Sequence, residues 1–374
     1  MHQIAIVVFA LLFSQLGLFA KTSTNQTVNP IKAPKIPFPL ESASAGITKF
    51  SFLVYGDTRG RRDGKDVQYE HSLVIDSMLS TIAKAKTNGF PVEFVLQSGD
   101  AVVNGNDPKQ WNASFVTLIN RLTTEGGVSY FLAPGNHDVT SASEITSTNR
   151  QRGLSNYLAA VNHLIPPNGA LRRLDGYPVF AFGFGNSFFL ALDSNLASDL
   201  TQYAWASEQL HNLDHTRYPN IFAFFHHPPF SSGGHGGAKI EAPARDLRQI
   251  YMPLFREHHV RAIFTGHEHL FEHWVERYVD STGKKYRMDQ IVTGGGGAPL
   301  YGYRGEPDLT DYLKVYKSQK VELEHLVRPG PNPGDNPYHY LIVQVDGTHM
   351  KLDVIGIDWG SDFKPYRSNS VKLE

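Results

Sequence analysis

The sequence predicts an α/β fold in which strands and helices alternate around a largely buried mixed sheet. Hydrophobic residues make up 41% of the 374 residues, which is enough to build a buried core. Most of the predicted strands are short, continuous apolar runs, a pattern typical of strands that are covered on both faces. Segments with helical apolar spacing separate several of these strands, as expected of β-α-β units.

The predicted elements follow one another along the chain. The first strand is 50–56, and 70–86 carries apolar residues at helical spacing. A second strand at 92–99 precedes a helix that begins with Asp107 as its N-cap and Pro108 at its first position. The remaining predicted elements are a strand at 128–135, a hairpin of 179–185 and 188–194, strands at 221–227 and 260–266 with a helix at 243–257 between them, and a terminal hairpin around Asp346-Gly347.

Composition excludes several classes of protein. The chain contains no Cys, which excludes disulfide frameworks, Cys-ligated zinc, iron–sulfur clusters and thiol nucleophiles. The net charge of −1 provides no overall attraction to nucleic acid or to an anionic membrane, so any anion recognition has to be local. Histidine is abundant, and ten of the 17 His residues fall between positions 211 and 273. That density points to metal or proton chemistry.

The two ends of the chain are expected to lie outside the folded domain. The apolar run 4–20 has the length of a secretory signal peptide, so we expect cleavage of residues 1–20 and a secreted or periplasmic protein. An uncleaved membrane anchor is the alternative. The remaining predicted segments are a Pro-rich extended linker at 21–47, one domain at 48–360 with a long surface excursion at 300–337, and a C-terminal tail at 361–374.

Polar residues follow five of the predicted strands at their carboxyl ends, where open α/β sheets form ligand crevices. These motifs are Gly56-Asp57-Thr58-Arg59, Gly99-Asp100, Gly135-Asn136-His137-Asp138, His226-His227-Pro228-Pro229 and Gly266-His267-Glu268-His269. Asp, Asn and His are oxygen or nitrogen ligands suited to Mn, Fe or Zn, and one Asp can bridge two cations. Each motif alone has an ordinary explanation, such as a turn capped by Asp or a core histidine bonded to a carbonyl. Their joint occurrence favours a metal centre.

The succession of these motifs resembles the calcineurin-like metallophosphoesterase superfamily, which includes the purple acid phosphatases, over about residues 50–297. The resemblance implies a four-layer αββα sandwich of two mixed sheets flanked by helices, with two bound metal ions (Fe, Mn or Zn). It also implies the ligands of both ions. Asp57, Asp100 and His269 match ligands of the first ion, Asn136, His226 and His267 match ligands of the second, and Asp100 bridges the two.

The sequence departs from the family pattern at two positions. Many members carry Asp-x-His at the first motif, but here Arg59 stands at the third position. Arg59 either faces the substrate phosphate as a bidentate donor or forms a surface salt bridge with Asp63 or Asp66. Purple acid phosphatases carry Tyr three residues after the bridging Asp, and Val103 stands there instead. A purple iron–tyrosinate centre is therefore not expected.

The candidate catalytic residues are His137, Asp138, His235 and Arg59. We expect His137 to face the metals or the substrate, with Asp138 fixing its tautomer. His235 lies in a flexible Gly-rich loop, nine residues after His226, at a spacing that resembles the loop histidine proposed as leaving-group acid in purple acid phosphatases. A solvent-exposed loop residue is the alternative. His227 is expected beside the ligands rather than among them, because consecutive residues of an extended segment point to opposite faces.

These residues predict a phosphoric ester hydrolase, in the simplest case a secreted, acid-phosphatase-like phosphomonoesterase in which two cations supply a bridging hydroxide. A phosphodiesterase on the same centre and a catalytically silent metal- or phosphate-binding protein remain open alternatives. The expected partner is a small phosphate ester, without a nucleic-acid-binding patch and without a stable membrane anchor after signal removal. The walls of the substrate pocket are predicted at 59–70, 140–176, 230–240 and 298–337.

Overall fold

The computed structural model describes residues 26–60, 67–139, 146–236 and 240–357, together with the backbone of 371–373. Within these residues, two β-sheets pack face to face, and helices cover the outer face of each sheet. This is a four-layer αββα sandwich, so the predicted fold class is confirmed. The predicted signal peptide and most of the predicted C-terminal tail lie outside the described residues.

The strands of the described residues form two mixed sheets. In chain order they are β1 (Lys49–Tyr55), β2 (Val92–Gln97), β3 (Ser129–Leu132), β4 (Phe180–Phe184), β5 (Ser187–Ala191), β6 (Asn220–Phe224), β7 (Ala262–Thr265), β8 (Phe271–Val279), β9 (Lys285–Thr293), β10 (Glu322–Val327), β11 (Tyr338–Asp346), β12 (His349–Ile357) and β13 (Val371–Leu373). The first sheet has the order β13-β12-β11-β1-β2-β3, and the second has the order β10-β8-β9-β7-β6-β5-β4. β1, β2 and β3 are parallel, as are β5, β6 and β7. Both predicted hairpins, β4–β5 and β11–β12, are confirmed.

Helices connect the strands of both sheets. In chain order they are α1 (Tyr69–Ala85), α2 (108–126, including π-helical stretches at Trp111–Val116 and Leu122–Gly126), α3 (Asn136–Val139), α4 (Thr148–Val161), α5 (Leu200–His211), α6 (242–257, with a π-helical stretch at Leu247–Tyr251) and α7 (Thr310–Val315). α2 begins as predicted, since the Asp107 carboxylate accepts the Lys109 N–H at 3.0 Å and Pro108 opens the helix. Among the described residues, no helix combines the length and the apolar character that a membrane span requires.

Phenylalanine rings fill the space between the two sheets. Phe52 stacks on Phe94 of the same sheet with 5.4 Å between ring centroids, and it meets Phe189 and Phe222 of the opposite sheet edge-on at 5.2 and 5.4 Å. All four side chains are fully buried. Two further apolar clusters lie outside the sheets, one beneath α1, α2 and α4 and the other beneath α5 and α6. This close packing makes the strands a rigid frame for the side chains at their ends.

Residues 26–47 lie along the open edge of the sandwich instead of standing apart from it. Phe38 packs edge-on against Phe131 of β3 and Phe182 of β4, at 5.0 and 5.4 Å between ring centroids. The Glu41 carboxylate accepts a backbone N–H of β4 at 3.1 Å. The prolines predict an extended linker, but residues 41–46 form turns, and the segment is docked because its apolar side chains cover two sheet edges.

The segment 300–337 is only partly the surface excursion that its prolines suggest. It contains α7 and β10, and β10 pairs antiparallel with β8 at the edge of the second sheet. Tyr312 of α7 is buried and donates to the Glu276 carboxylate at 3.0 Å, and Arg256 also contacts that carboxylate at 2.7 Å. The middle of this segment, 310–327, is therefore built into the sandwich.

Candidate metal centre

The six predicted metal ligands come together at one edge of the sandwich, where strands of both sheets end. The first sheet supplies Asp57, Asp100 and Asn136 after β1, β2 and β3, and the second sheet supplies His226, His267 and His269 after β6 and β7. All are carried by turns that directly follow packed strands, so their positions are set by the frame. We call Asp57, Asp100 and His269 the first group, and Asp100, Asn136, His226 and His267 the second group.

The backbone at these turns adopts unusual conformations. Asp57, Asp100 and His267 have φ angles of 59°, 54° and 69°, in the left-handed region that residues other than glycine rarely occupy. Such strain is found at sites where the surrounding structure imposes it for function. Gly135 permits the close approach of the neighbouring turn, because a Cβ there would lie 2.2 Å from the Asp100 backbone nitrogen. The Gly-Asp and Gly-Asn motifs thus let two strand ends meet.

The second group brings four potential ligand atoms together. His226 Nε2 lies 2.9 Å from Asn136 Oδ1 and 3.3 Å from Asp100 Oδ1. His267 Nδ1 lies 3.1 Å from both His226 Nε2 and Asn136 Oδ1. One oxygen or nitrogen atom of each residue is therefore directed at a common point.

The remaining ring nitrogens of the two histidines determine which atoms face that point. His226 Nδ1 lies 3.0 Å from the Ser98 carbonyl oxygen, and His267 Nε2 lies 3.0 Å from the Glu241 carboxylate. Carbonyl and carboxylate oxygens only accept, so these outer nitrogens carry the protons. The inner nitrogens consequently present lone pairs to the amide and carboxylate oxygens of the group. Lone pairs at this separation repel one another unless a cation lies between them, so the second group fits a metal ion.

The first group has the same character. His269 Nε2 lies 3.4 Å from Asp57 Oδ1, while His269 Nδ1 donates to the Pro299 carbonyl at 2.7 Å. Asp57 Oδ1 is buried and has no hydrogen-bond partner among the described residues. A buried carboxylate oxygen without a donor is unfavourable, and a cation beside the imidazole lone pair would satisfy it. The first group therefore also fits a metal ion, and together the groups offer two carboxylates, one amide and three imidazoles.

Burial controls the ionisation of these side chains. Burial raises the pKa of Asp57 well above its usual value, and the negative charge of Asp100 raises it further. Burial also lowers the pKa of His226 far below its usual value and the pKa of His269 to about 3. The imidazoles of His226 and His269 are thus held neutral, which is the form that binds metals, and a cation would allow Asp57 to stay ionised.

Arg59 faces the first group. Its Nε lies 3.6 Å from Asp100 Oδ2, and a terminal guanidinium nitrogen lies 3.5 Å from His269 Nε2. The side chain is 17% exposed, and it lines the cleft above the ligands. The guanidinium is therefore directed at the first group from the wall of the cleft, a position that fits the first of the two predictions for this residue. The alternative partners Asp63 and Asp66 lie outside the described residues.

His137 opens into the cleft, but Asp138 does not orient it. His137 Nδ1 donates to the Val103 carbonyl at 2.7 Å, which leaves Nε2 facing the cleft at 3.9 Å from Asp100 Oδ2. The Asp138 carboxylate is fully buried and accepts three backbone N–H groups from the turns after β2 and β3. The expectation that Asp138 fixes the tautomer of His137 is wrong, because α3 turns that carboxylate back towards the strand ends. Asp138 instead braces the turn that carries Asp100.

His235 lines the cleft beside the second group. Its ring centroid lies 4.6 Å from that of His267, and its Nδ1 lies 2.8 Å from Glu241 Oε1. The backbone N–H groups of Gly234 and His235 both donate to the buried carboxylate of Glu268. The loop that was predicted to be flexible is thus anchored at His235, because Glu268 accepts its backbone and Glu241 accepts its ring.

His227 lies next to the second group, and one of its ring nitrogens is within 4.8 Å of a ring nitrogen of His226 and of His267. It is buried, and its Nδ1 is 2.8 Å from Ser194 Oγ. Its ring centroid lies 5.0 Å from that of His226 and 4.4 Å from that of His267. His227 therefore packs against both histidines of the second group and contributes to their immobility.

A cleft of about 770 Å³ opens above both groups. The predicted walls supply Arg59, His235 and Tyr301, and the Tyr301 ring stacks on His269 with 4.1 Å between centroids. The described part of 140–176 contributes no side chain to the cleft. Its far wall is formed instead by 195–200 and 241–246.

Sequence reasoning missed Glu241 and the far wall. Glu241 directly precedes Ala242-Pro243 at the start of α6, so it resembles an ordinary acidic residue at a helix N-terminus. Nothing in its spacing distinguishes it from such a residue. The stretch 195–200 contains no motif, and its place in the cleft follows only from the path of the chain after β5.

Comparisons with known proteins were made for the sequence and for the structure. The family model for calcineurin-like phosphoesterases matches residues 50–271. A purple acid phosphatase from the seeds of yellow lupin (Lupinus luteus) aligns with a TM-score of 0.57 and 16% identity, over 91% of this chain and 55% of the lupin chain. This chain thus spans about half the length of the lupin protein. GAP50, the anchor in the inner membrane complex of Plasmodium, aligns with a TM-score of 0.51 and 14% identity, over 88% and 90% of the two chains. At these identities the structural likeness concerns the fold.

Proposed function

The chain belongs to the calcineurin-like phosphoesterase family, and we propose that it is a phosphomonoesterase that works with two metal ions. Family membership and the donor set support a metal-dependent phosphoric ester hydrolase. The observation that carries the proposal for two ions is that both groups of ligand atoms share Asp100 at the floor of one cleft. Asp100 Oδ1 lies beside the second group, whereas Oδ2 lies on the side of Arg59 and the first group.

The residues of the two groups and Arg59 would position the two ions and the substrate phosphate relative to one another. Asp57 and His269 would hold the first ion, Asn136, His226 and His267 would hold the second, and Asp100 would serve both. When bound, two such ions supply a nucleophile from water near neutral pH and withdraw charge from the phosphoryl oxygens. Arg59 binds a phosphate oxygen at the first group, where its guanidinium offers paired donors.

His235 provides the proton for the leaving group. Its Nδ1–H is directed at Glu241, so Nε2 remains for the leaving oxygen of the ester. The hydrogen bond to Glu241 raises the pKa of His235, which keeps the ring protonated to higher pH. Donation from such a ring speeds the departure of an alkoxide. His137 is the second candidate acid, because its Nε2 also opens into the cleft.

A phosphodiesterase on the same centre is the second candidate function, and the shape of the cleft favours it. The far wall, 195–200 and 241–246, extends the cleft beyond the two groups of ligands. A phosphodiester carries a second substituent, which would lie in this part of the cleft.

We further propose that the mature protein is exported and secreted or periplasmic. The apolar run 4–20, followed by Lys21 and a polar stretch, supports a cleaved signal peptide. The expected substrate is a small phosphate ester, and the net charge of −1 argues against a nucleic-acid partner. N-terminal sequencing of the exported protein should begin near Lys21, and a cytosolic protein that retains Met1 would contradict the proposal.

One experiment tests the catalytic proposal and its alternatives together. The purified protein is analysed for bound metals and then assayed on an alkyl phosphate, a nitrophenyl phosphate and a bis(nitrophenyl) phosphate. Two ions per chain with preferential monoester turnover support the proposal, whereas preferential diester turnover supports the phosphodiesterase. Bound metal without turnover of any ester would leave a catalytically silent binding protein.

A further inference from the structure

Glu241 contacts two histidines of the centre at once. Its Oε1 lies 2.8 Å from His235 Nδ1, and its Oε2 lies 3.0 Å from His267 Nε2. The rings of these two histidines lie side by side, with 4.6 Å between centroids. One carboxylate therefore joins a predicted metal ligand to the candidate acid.

The carboxylate of Glu241 does not serve the helix that it precedes. Glu241 holds the N-cap position of α6, yet its side chain makes no capping hydrogen bond. Its backbone N–H donates to the carbonyl of His235 at 3.4 Å, which brings the two residues together. The side chain is 40% exposed and its exposed part lines the cleft. An acidic side chain at this position usually caps the helix, whereas the Glu241 side chain contacts two histidines of the centre instead.

The contacts of Glu241 determine the tautomers of both rings. A carboxylate only accepts hydrogen bonds, so it selects the Nε2–H form of His267 and places a proton on His235 Nδ1. His267 Nδ1 is then free of a proton and faces His226 and Asn136 within the second group. His235 Nε2 is left as the nitrogen that meets the leaving group.

We propose that Glu241 is a positioning residue that fixes both histidines together, keeping His267 Nδ1 available to the second ion and His235 Nε2 available to the leaving oxygen. The proposal rests on the proposed function for the role of His235, whereas its statement about His267 concerns metal binding alone. Carboxylates that orient a ligating imidazole typically contribute 10- to 100-fold to metal affinity.

Replacing Glu241 by Gln and by Ala distinguishes its hydrogen-bonding role from the effect of its negative charge. The amide of Gln has one accepting end and one donating end, so it can match only one of the two rings. With its oxygen towards His267, its NH₂ group meets His235 Nδ1 and cannot accept the proton of that nitrogen. Glu241→Gln should therefore retain most of the metal affinity and lose acid catalysis, while Glu241→Ala should lose both.

The first measurement uses Zn²⁺ alone, without substrate. Titration of the metal-free protein should show that Glu241→Ala weakens one of the two sites by roughly 10- to 100-fold, whereas Glu241→Gln weakens it less than about tenfold. Glu306→Ala is the matched control, because the Glu306 carboxylate contacts His325 Nδ1 at 3.0 Å with 38% exposure, away from the centre. Equal affinity in wild type and Glu241→Ala would overturn the proposal. Equal losses in Gln and Ala would assign the effect to charge and also overturn it.

The second measurement reads the tautomers directly. Long-range ¹H–¹⁵N spectra of the Zn²⁺-loaded wild type should show the proton of His267 on Nε2 and a proton of His235 on Nδ1, and Glu241→Gln should remove the latter. The opposite tautomers in the wild type would overturn the proposal even if a variant failed to fold. A wild type that binds two ions with these tautomers but hydrolyses no ester would refute the proposed function while the role of Glu241 towards His267 stands.

Discussion

The two groups of the metal centre differ in their ligands and in what surrounds them. The second group has four candidate ligands. The outer ring nitrogens of its two histidines are hydrogen-bonded, that of His226 to the Ser98 carbonyl and that of His267 to the Glu241 carboxylate. The first group has three ligands, and the cation of Arg59 lies 3.5 to 3.6 Å from two of them. A metal ion in the first group is therefore short of one ligand and close to a like charge, so we expect it to bind more weakly.

This difference shows how one residue, Arg59, can change the roles of the two groups within a shared centre. In the family pattern, the third position of the first motif is commonly a histidine, which would add an imidazole to the first group. Arg59 stands at that position here and offers donors where an imidazole would offer a lone pair. On the proposed function, Arg59 would weaken metal binding at the first group and add phosphate binding there, while the second group keeps four candidate ligands and the candidate acid His235.

The largest effect is expected from Asp100, the residue that both groups share. Asp100→Ala should release both ions and lower kcat at least a hundredfold, because each ion loses a carboxylate ligand. Metal analysis and nitrophenyl phosphate turnover would measure these losses. Asp346→Ala is the control, since Asp346 pairs with Lys49 on the surface and its replacement should leave both quantities unchanged. Full metal occupancy in Asp100→Ala would remove the basis for a shared centre.

The next effect concerns His235, which belongs to the side of the second group. His235→Ala should lower kcat for an alkyl phosphate by about a hundredfold but hardly affect a nitrophenyl phosphate, because only the alkoxide needs a proton. Metal content should remain at the wild-type level. His211→Ala, a substitution of an exposed histidine at the end of α5, provides the control. Equal losses on both esters would exclude His235 as the acid and leave His137 in that role.

A smaller effect is expected from Arg59. Arg59→Met should strengthen the weaker metal site about tenfold, since it removes a cation that lies near the ligands and is only partly screened by water. The same variant should raise the KM of a phosphate ester. Zn²⁺ titration and steady-state kinetics would show the two changes, with Arg121→Met as a surface control. An unchanged titration would mean that the two groups do not differ in the way that Arg59 suggests.

The sequence predicted the candidate ligands better than it predicted the residues that hold the ligands in place. Asp57, Asp100 and Asn136 could be identified because each directly follows an apolar run, and the ends of parallel strands meet at one edge. Glu241 could not be identified in this way. Its partner His235 is six positions removed from it along the chain, and its contact with His267 depends on how the start of α6 meets the second sheet.

The arrangement of the strands shows the same limit. Apolar runs predicted where most strands lie, and the hairpin at Gly347, with a φ of 62°, followed from its turn residues. The runs do not indicate which strands share a sheet, because most of them are buried on both faces and carry no alternation. The division into two sheets therefore came from the family resemblance. Asp138 did not have the role expected for it. Its carboxylate accepts backbone N–H groups of the turns after β2 and β3 and does not orient His137.

The smallest effect is expected from Glu272, which lies outside the candidate metal centre. Its side chain supports the loop that carries His235. The buried Glu272 carboxylate accepts the backbone N–H of Ser232 at 2.8 Å and also the Ser232 hydroxyl. Burial raises the pKa of Glu272 from 4.5 to about 7. The first group has no corresponding loop among the described residues, so this support belongs to the second group alone.

The stability of the protein should therefore depend on pH through Glu272. Below pH 4.5 the side chain is protonated in both the folded and the unfolded chain, and its contribution to stability is constant. Between pH 4.5 and about 7 the unfolded chain ionises first, so the free energy of unfolding falls as the pH rises, by at most about 3 kcal/mol. Urea unfolding of the metal-free protein at pH 5 and pH 8 should show this loss in wild type and a smaller one in Glu272→Gln. Glu324→Gln, an exposed residue on β10, should behave as wild type. Parallel pH dependence in wild type and Glu272→Gln would show that Glu272 is already ionised in the folded protein, held so by its bonds to Ser232.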